Sequence, residues 1–169
     1  MPDLSTQLSR FLTQLMRWPA AFAGDALSLT TNTTQAVNGA TVETDLMVYS
    51  LPAGTLAVNG QKLRITGAGT FAANGNTKTI RIRFGGTIVS TRATTASGGA
   101  WTIQAVVVRT GAATQKAFGT QFESGNGGQT TYTTPAETLS GAIDVKLTGQ
   151  SGTASSDVVG EIFTVEWLA

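Results

Sequence analysis

Cysteine and histidine are both absent from the 169 residues. Without cysteine there is no disulfide, no thiolate metal site and no thiol nucleophile. Without histidine, Ser-His-Asp and Cys-His catalysis is excluded. The missing cysteines do not assign a compartment. Charge is scarce as well: 11 basic and 10 acidic residues make up 12% of the chain, with a formal net charge of +1. That is about half the usual charged share of a globular protein. No basic excess exists to neutralise phosphates, so neither nucleic acid nor an anionic membrane is an expected partner. No apolar run approaches the ~20 residues that span a bilayer. Polar Ser, Thr and Gln interrupt the first residues throughout, which argues against a secretory signal and for folding in a cytoplasm.

Threonine fills much of the space that charge leaves, at about one residue in six. It is β-branched and suits the solvated face of a strand. A neutral Thr/Gly/Ala surface also needs little side-chain ordering to form large, close contacts. Past Asn38 the texture is constant, with alternating segments every 8–14 residues and turn residues between them, as in an all-β sandwich or barrel. The expected strands are Val42–Leu51, Thr55–Val58, Lys62–Phe71, Lys78–Phe84, Thr87–Thr91, Trp101–Thr110, Lys116–Phe122, Thr130–Thr133, Leu139–Thr148 and Val158–Leu168. Around Asn74-Gly75 the alternation of Leu63 and Ile65 on one side, and Ile80, Ile82 and Phe84 on the other, predicts a β-hairpin. Two strands are apolar on both faces. Val106 and Val108 oppose the Trp101, Ile103, Ala105 and Val107 face, and Ile162 and Leu168 oppose Phe163, Val165 and Trp167. Such strands need a second cover besides the core, and another subunit would supply it.

The N-terminal 24 residues differ. Leu4, Leu8, Phe11, Leu15 and Trp18 are spaced 4-3-4-3, with Asp3 placed to cap the start and Pro19 to end the pattern. The spacing predicts a helix over residues 4–17. It serves either as an amphipathic helix packed on its own domain or as an arm that docks on a partner. Ala20 to Asn38 reads as a linker into the first strand, which divides the chain into an arm, 1–24, and a sandwich, 25–169.

The search for chemistry finds little. No Ser-x-x-Lys spacing and no GxxxxGK[ST] loop occurs, and the glycines join strands rather than opening helices. Glu43 and Asp45 share one face of an expected strand, where an exposed charged face explains them better than a glycosidase pair or a calcium site. Arg64, Arg81 and Arg83, joined by Arg109, are expected to form a basic stripe on one sheet face, for intersubunit pairing or an anionic glycan. The expectation is a non-enzyme with no cofactor and no metal.

The run from Leu56 to Gly86, with Gly99-Ala100-Trp101, Val108-Arg109-Thr110-Gly111, Glu137-Thr138-Leu139 and Glu166-Trp167-Leu168, resembles a recurrent domain of tailed-bacteriophage virion proteins. The resemblance covers about residues 29–169. It implies a trimeric jelly-roll module, so that with the helix read from spacing the expected architecture is an antiparallel jelly-roll β-sandwich with a short N-terminal α-helical arm, assembled as a homotrimer. The resemblance alone does not place the module on the virion. The short stretch of about 25 residues ahead of the sandwich suits a compact trimer on a shell. The first expectation is therefore a capsid cement or decoration protein bound to the major capsid protein or another virion protein, with Leu4 to Trp18 as the attachment or trimer-clasping helix. The alternatives are a tail-fibre or tail-tip module whose loops Ala93–Gly99 and Gly125–Thr134, with Tyr132, contact host glycan, and a free-standing carbohydrate-binding domain.

Overall fold

The computed structural model describes residues 26–168, among which no helix occurs. The expected helix over 4–17, with Leu4, Leu8, Phe11, Leu15 and Trp18, lies outside the described residues. Eleven strands follow in order: β1 (Ala26–Asn32), β2 (Ala36–Asn38), β3 (Thr44–Leu51), β4 (Lys62–Phe71), β5 (Lys78–Phe84), β6 (Thr87–Thr94), β7 (Ala100–Gly111), β8 (Thr114–Glu123), β9 (Asn126–Thr133), β10 (Ile143–Ser151) and β11 (Val158–Leu168). They form an antiparallel sandwich. The larger sheet has seven strands in the order β1-β11-β4-β7-β8-β9, with β2 also on β11, and the smaller has four in the order β3-β10-β5-β6.

Alternation places the core. Leu63 and Ile65 of β4, Ile103 and Val107 of β7, and Phe163 and Val165 of β11 face Ile80 and Ile82 of β5, Val145 and Leu147 of β10, and Met47 and Leu51 of β3, all of them buried. Each fully buried side chain of this size stabilises the fold by about 1.5–3 kcal/mol. Leu147 of β10 reaches across to β4 at a glycine. A Cβ on Gly67 would stand 2.6 Å from Leu147 Cδ1, so only glycine lets that leucine cross from the opposite sheet.

Strands β4, β5 and β11 have the expected bounds, but the hairpin at Asn74-Gly75 does not form. β4 lies in the large sheet and β5 in the small one. The connection crosses between sheets because other loops hold its ends: Phe71 N donates to Gly99 O, and Ala72 N to Asp157 O. Asn74 spends its side-chain amide on Asp157 Oδ1 at 2.7 Å, and Gly75 is not among the glycines with positive φ. The tight hairpins are β5–β6 at Gly85-Gly86, β7–β8 at Ala112-Ala113 and β8–β9 at Ser124-Gly125.

Thr55–Val58 is a turn, not a strand. Gln61 Oε1 accepts from the backbone N–H of both Ala57 and Val58, at 2.7 and 2.8 Å, and so takes donors that a ladder would need. The expected linker Ala20–Asn38 contains β1 and β2, which lack clean alternation because they are short pieces at the sheet edge.

Candidate interaction surface

The sandwich has two outer faces, and they differ in chemistry. On the small sheet the outer face is ionic. Glu43 accepts from Arg83 Nε and Nη2, each at 2.7 Å, and from Thr148 Oγ1 at 2.6 Å, while Arg81 Nη1 stands 3.4 Å away. The bidentate Arg83 bond, then Thr148 and the two guanidinium charges, outweigh burial and hold the Glu43 carboxyl at about 2. Asp45 pairs with Lys146 at 2.9 Å. The two carboxylates singled out in the sequence are therefore each engaged by a cation, and they do not form an acid–base pair.

The expected basic stripe is not one surface. Arg81 and Arg83 lie on β5 in the small sheet, whereas Arg64 lies on β4 in the large sheet, paired with Glu166 at 2.7 Å. Arg109 is drawn to a third place, where Nη1 bonds Leu56 O and Nε bonds Asn59 Oδ1 at 3.2 Å. The stripe assumed that β4 and β5 were hairpin partners. Once the connection crosses sheets, alternation sends the arginines to opposite sides of the molecule.

The outer face of the large sheet is less charged: Arg64 is paired with Glu166, and Lys62 and Lys116 stand at one end. Cross-strand pairing aligns Glu166, Arg64, Val106, Phe118 and Tyr132 in one row. A second row is Thr164, Thr66, Gln104, Thr120 and Thr130, without a charge. A third carries Ile162, Ala68, Thr102 and Phe122, and a fourth, at the other end, Leu168, Lys62, Val108 and Lys116. Of the residues expected to contact a partner, Val106, Val108, Ile162 and Leu168 thus share this face. Ile162 is 43% exposed, and Val106, Val108 and Leu168 are half-buried.

Phe118 and Phe122 escaped the sequence reading. They are 50% and 55% exposed, and with Tyr132 at 63% they are the exposed aromatic side chains among the described residues. All three belong to the β8–β9 hairpin. Alternation in β8 runs opposite to hydrophobicity: Gln115, Gln121 and Glu123 point inward and are buried, while the phenylalanines point out. Each of these inner residues has partners there. Gln115 exchanges bonds with the Glu137 backbone, and Gln121 Nε2 donates to Ser90 Oγ, although Gln121 Oε1 and Glu123 Oε2 are left without one among the described residues. Glu123 Oε1 accepts from Arg92 Nη2 at 2.7 Å, Thr94 Oγ1 at 2.8 Å and Asn126 Nδ2 at 2.6 Å. Burial pushes the Glu123 carboxyl up, but these bonds outweigh it and hold it below the usual carboxylate range. Gly128 makes room for Phe122, since a Cβ there would stand 2.5 Å from the ring's Cε1. The usable signal in the sequence was a strand with Phe at two alternate positions and Gly, Gln and Glu at the others.

A cavity of about 280 Å³ lies between Leu56, Arg109, Ala112 and Leu139, but it offers no acid–base pair. No cluster of acidic residues able to hold a metal ion occurs among the described residues.

No family model matches the chain, and no curated protein matches it. Among solved structures it is similar to the CBM2 module of the evolved Dit of Lactobacillus casei BL23 phage J-1. The identity is 12%, over 71% of this chain and 67% of that one, with a TM-score of 0.40. It is also similar to peanut lectin in complex with a nine-residue peptide, at 10% identity over 86% of this chain and 91% of that one, again with a TM-score of 0.40. Values this low carry no functional argument.

Proposed function

We propose that this chain is a non-enzymatic structural protein of a tailed-bacteriophage virion, a capsid decoration or cement protein that binds the assembled head as an oligomer. One observation carries the contact role: on the outer face of the large sheet the exposed rings of Phe118 and Tyr132 stand in one row with Val106, while Arg64 of that row is paired with Glu166. Two further features support the virion placement. One is the sequence resemblance over about residues 29–169. The other is the strand order, which reads as a jelly roll of two four-stranded sheets, β1-β11-β4-β7 and β3-β10-β5-β6, with the β8–β9 hairpin added to the larger. A protein that binds only the assembled shell stabilises it by mass action.

Antibody labelling of purified particles tests this in negative-stain electron microscopy. Label over the shell is the expected result. Label on no particle, with the protein abundant in the lysate, would overturn the virion placement. Deleting residues 1–24 then separates two roles for the arm: lost particle binding means docking, and lost oligomer means assembly. A second reading rests on the same aromatics, because Phe118, Phe122 and Tyr132 present ring faces on which sugars stack. In that reading the protein is a tail-tip module for host glycan, label falls on the tail, and Tyr132→Ala weakens retention on a glycan array.

A further inference from the structure

We propose that the outer face of the large sheet, centred on the β8–β9 hairpin, is where copies of this chain bind one another. This deepens the oligomeric reading above and names the surface it uses. Four observations point to a second copy as the occupant.

The first is charge. When a surface meets another copy of itself, any charge tends to meet its like, at a cost. The middle rows of this face on β7, β8 and β9, Gln104, Val106, Phe118, Thr120, Thr130 and Tyr132, have none, with Lys116 at their margin, while the outer face of the small sheet carries Glu43, Asp45, Arg81, Arg83 and Lys146. The second is the strand edge. β9 ends the large sheet, pairs only with β8 among the described residues, and contains neither a charge nor a proline. Uncovered edges are ordinarily blunted by such residues, because an open row of backbone N–H and C=O groups pairs with another chain. The two terminal strands of the small sheet, β3 and β6, do carry charge, at Asp45 and Arg92, while β1, at the far end of the large sheet, is uncharged like β9 but carries no exposed aromatic side chain.

The third observation is placement. The exposed aromatics sit on the hairpin added to the jelly-roll strands, continuous with the open edge, so one contact would bury both. The fourth is area. The whole outer face, six strands spaced by about 4.8 Å with seven residues at about 3.4 Å each from Thr102 to Val108, measures about 700 Å². That is near the ~800 Å² per partner of a standard stable interface, so the contact reaches from the hairpin across to the Arg64–Glu166 pair.

Sedimentation velocity on the full chain over a wide concentration range is the test. The unmodified protein is expected to sediment as an oligomer. Phe118→Thr combined with Tyr132→Thr keeps strand propensity while removing the aromatic anchors, and is expected to weaken association about tenfold or more. Thr120→Glu, which places a charge at the centre of the face, is expected to do the same. Circular dichroism checks that each variant folds. Should either not, hydrogen exchange on the unmodified chain decides, with β9 amides expected to be protected at high concentration and released on dilution.

An unmodified chain that is monomeric throughout would overturn the proposal, as would an oligomer that both variants leave intact. β9 amides that exchange freely inside an oligomer would overturn it too. A monomer that still labels particles sinks this inference and leaves the virion reading standing. An oligomer that the variants break, but that is found on no particle, does the reverse.

Discussion

Lys78 has no exposed surface, yet its ammonium is fully used. Nζ donates to Asn74 O at 2.7 Å and to Asn76 O and Ala96 O at 3.0 Å each. Three donors meet three carbonyls, much as an oxygen cage meets a metal ion. Asp157 completes the cluster by accepting from the Asn74 and Asn76 amides at 2.7 and 3.0 Å. The lysine therefore ties the sheet-crossing connection to the β6–β7 loop. Lys78→Met, similar in length, leaves those carbonyls buried and unpaired, and is expected to cost about 2–4 kcal/mol in urea unfolding.

Titration is a second consequence at this scale. The folded Glu43 carboxyl sits at about 2, below its ordinary value of 4.5. A depressed value adds stability that is fully present above the unfolded value and is lost as pH falls towards the folded one. The unfolding midpoint is therefore expected to drop between about pH 4.5 and 2. Glu43→Gln removes part of that slope and leaves the shares of Glu123, Asp157 and Glu166, whose carboxyls are also held low.

Among elements, the turns best separate local signal from tertiary control. Asn74-Gly75 has the sequence of a hairpin turn, but its neighbours are claimed by Gly99 O and Asp157, and the strands on either side part to different sheets. A Cβ at Gly75 meets nothing within 4 Å, so Gly75→Ala is expected to be neutral or slightly stabilising, by less than about 1 kcal/mol. Gly85 is the opposite case. Its φ is +58°, and a Cβ would stand 2.2 Å from the Glu137 carboxyl carbon, the same carboxylate that accepts from Gly86 N at 2.9 Å. Gly85→Ala is expected to cost about 1–3 kcal/mol. Thermal unfolding of the two variants side by side checks the contrast. In β8 the same tertiary control acts on a strand: Ser90 and Arg92 of β6 supply polar partners to its inner face, and the phenylalanines turn outward.

At the scale of the molecule, one outer face is a network of ion pairs and the other has uncharged central rows on β7, β8 and β9, and assembly through one or the other gives different behaviour in salt. Contact through the large sheet leaves the sedimenting mass unchanged as salt rises to about 1 M, where the screening length falls to about 3 Å. An oligomer that salt dissolves would instead place the contact on the Glu43 face.

The sequence by itself determined that the protein is built of strands, where many of them run and which side chains fill the core. Period-two alternation is a local property; β4 and β5 carry it without interruption, and β11 breaks it once, at the bulge between Gly160 and Ile162. It determined equally that histidine and thiol chemistry are absent. Only the tertiary structure decided which strands share a sheet, and with that the separation of Arg64 from Arg81 and Arg83, the failure of the Asn-Gly hairpin and the exposure of Phe118 and Phe122. Alternation tells which residues of a strand lie together. It does not tell which face meets the core when both carry plausible side chains, nor which distant strand completes the ladder. Those choices belong to hydrogen bonds and packing between segments far apart in the chain.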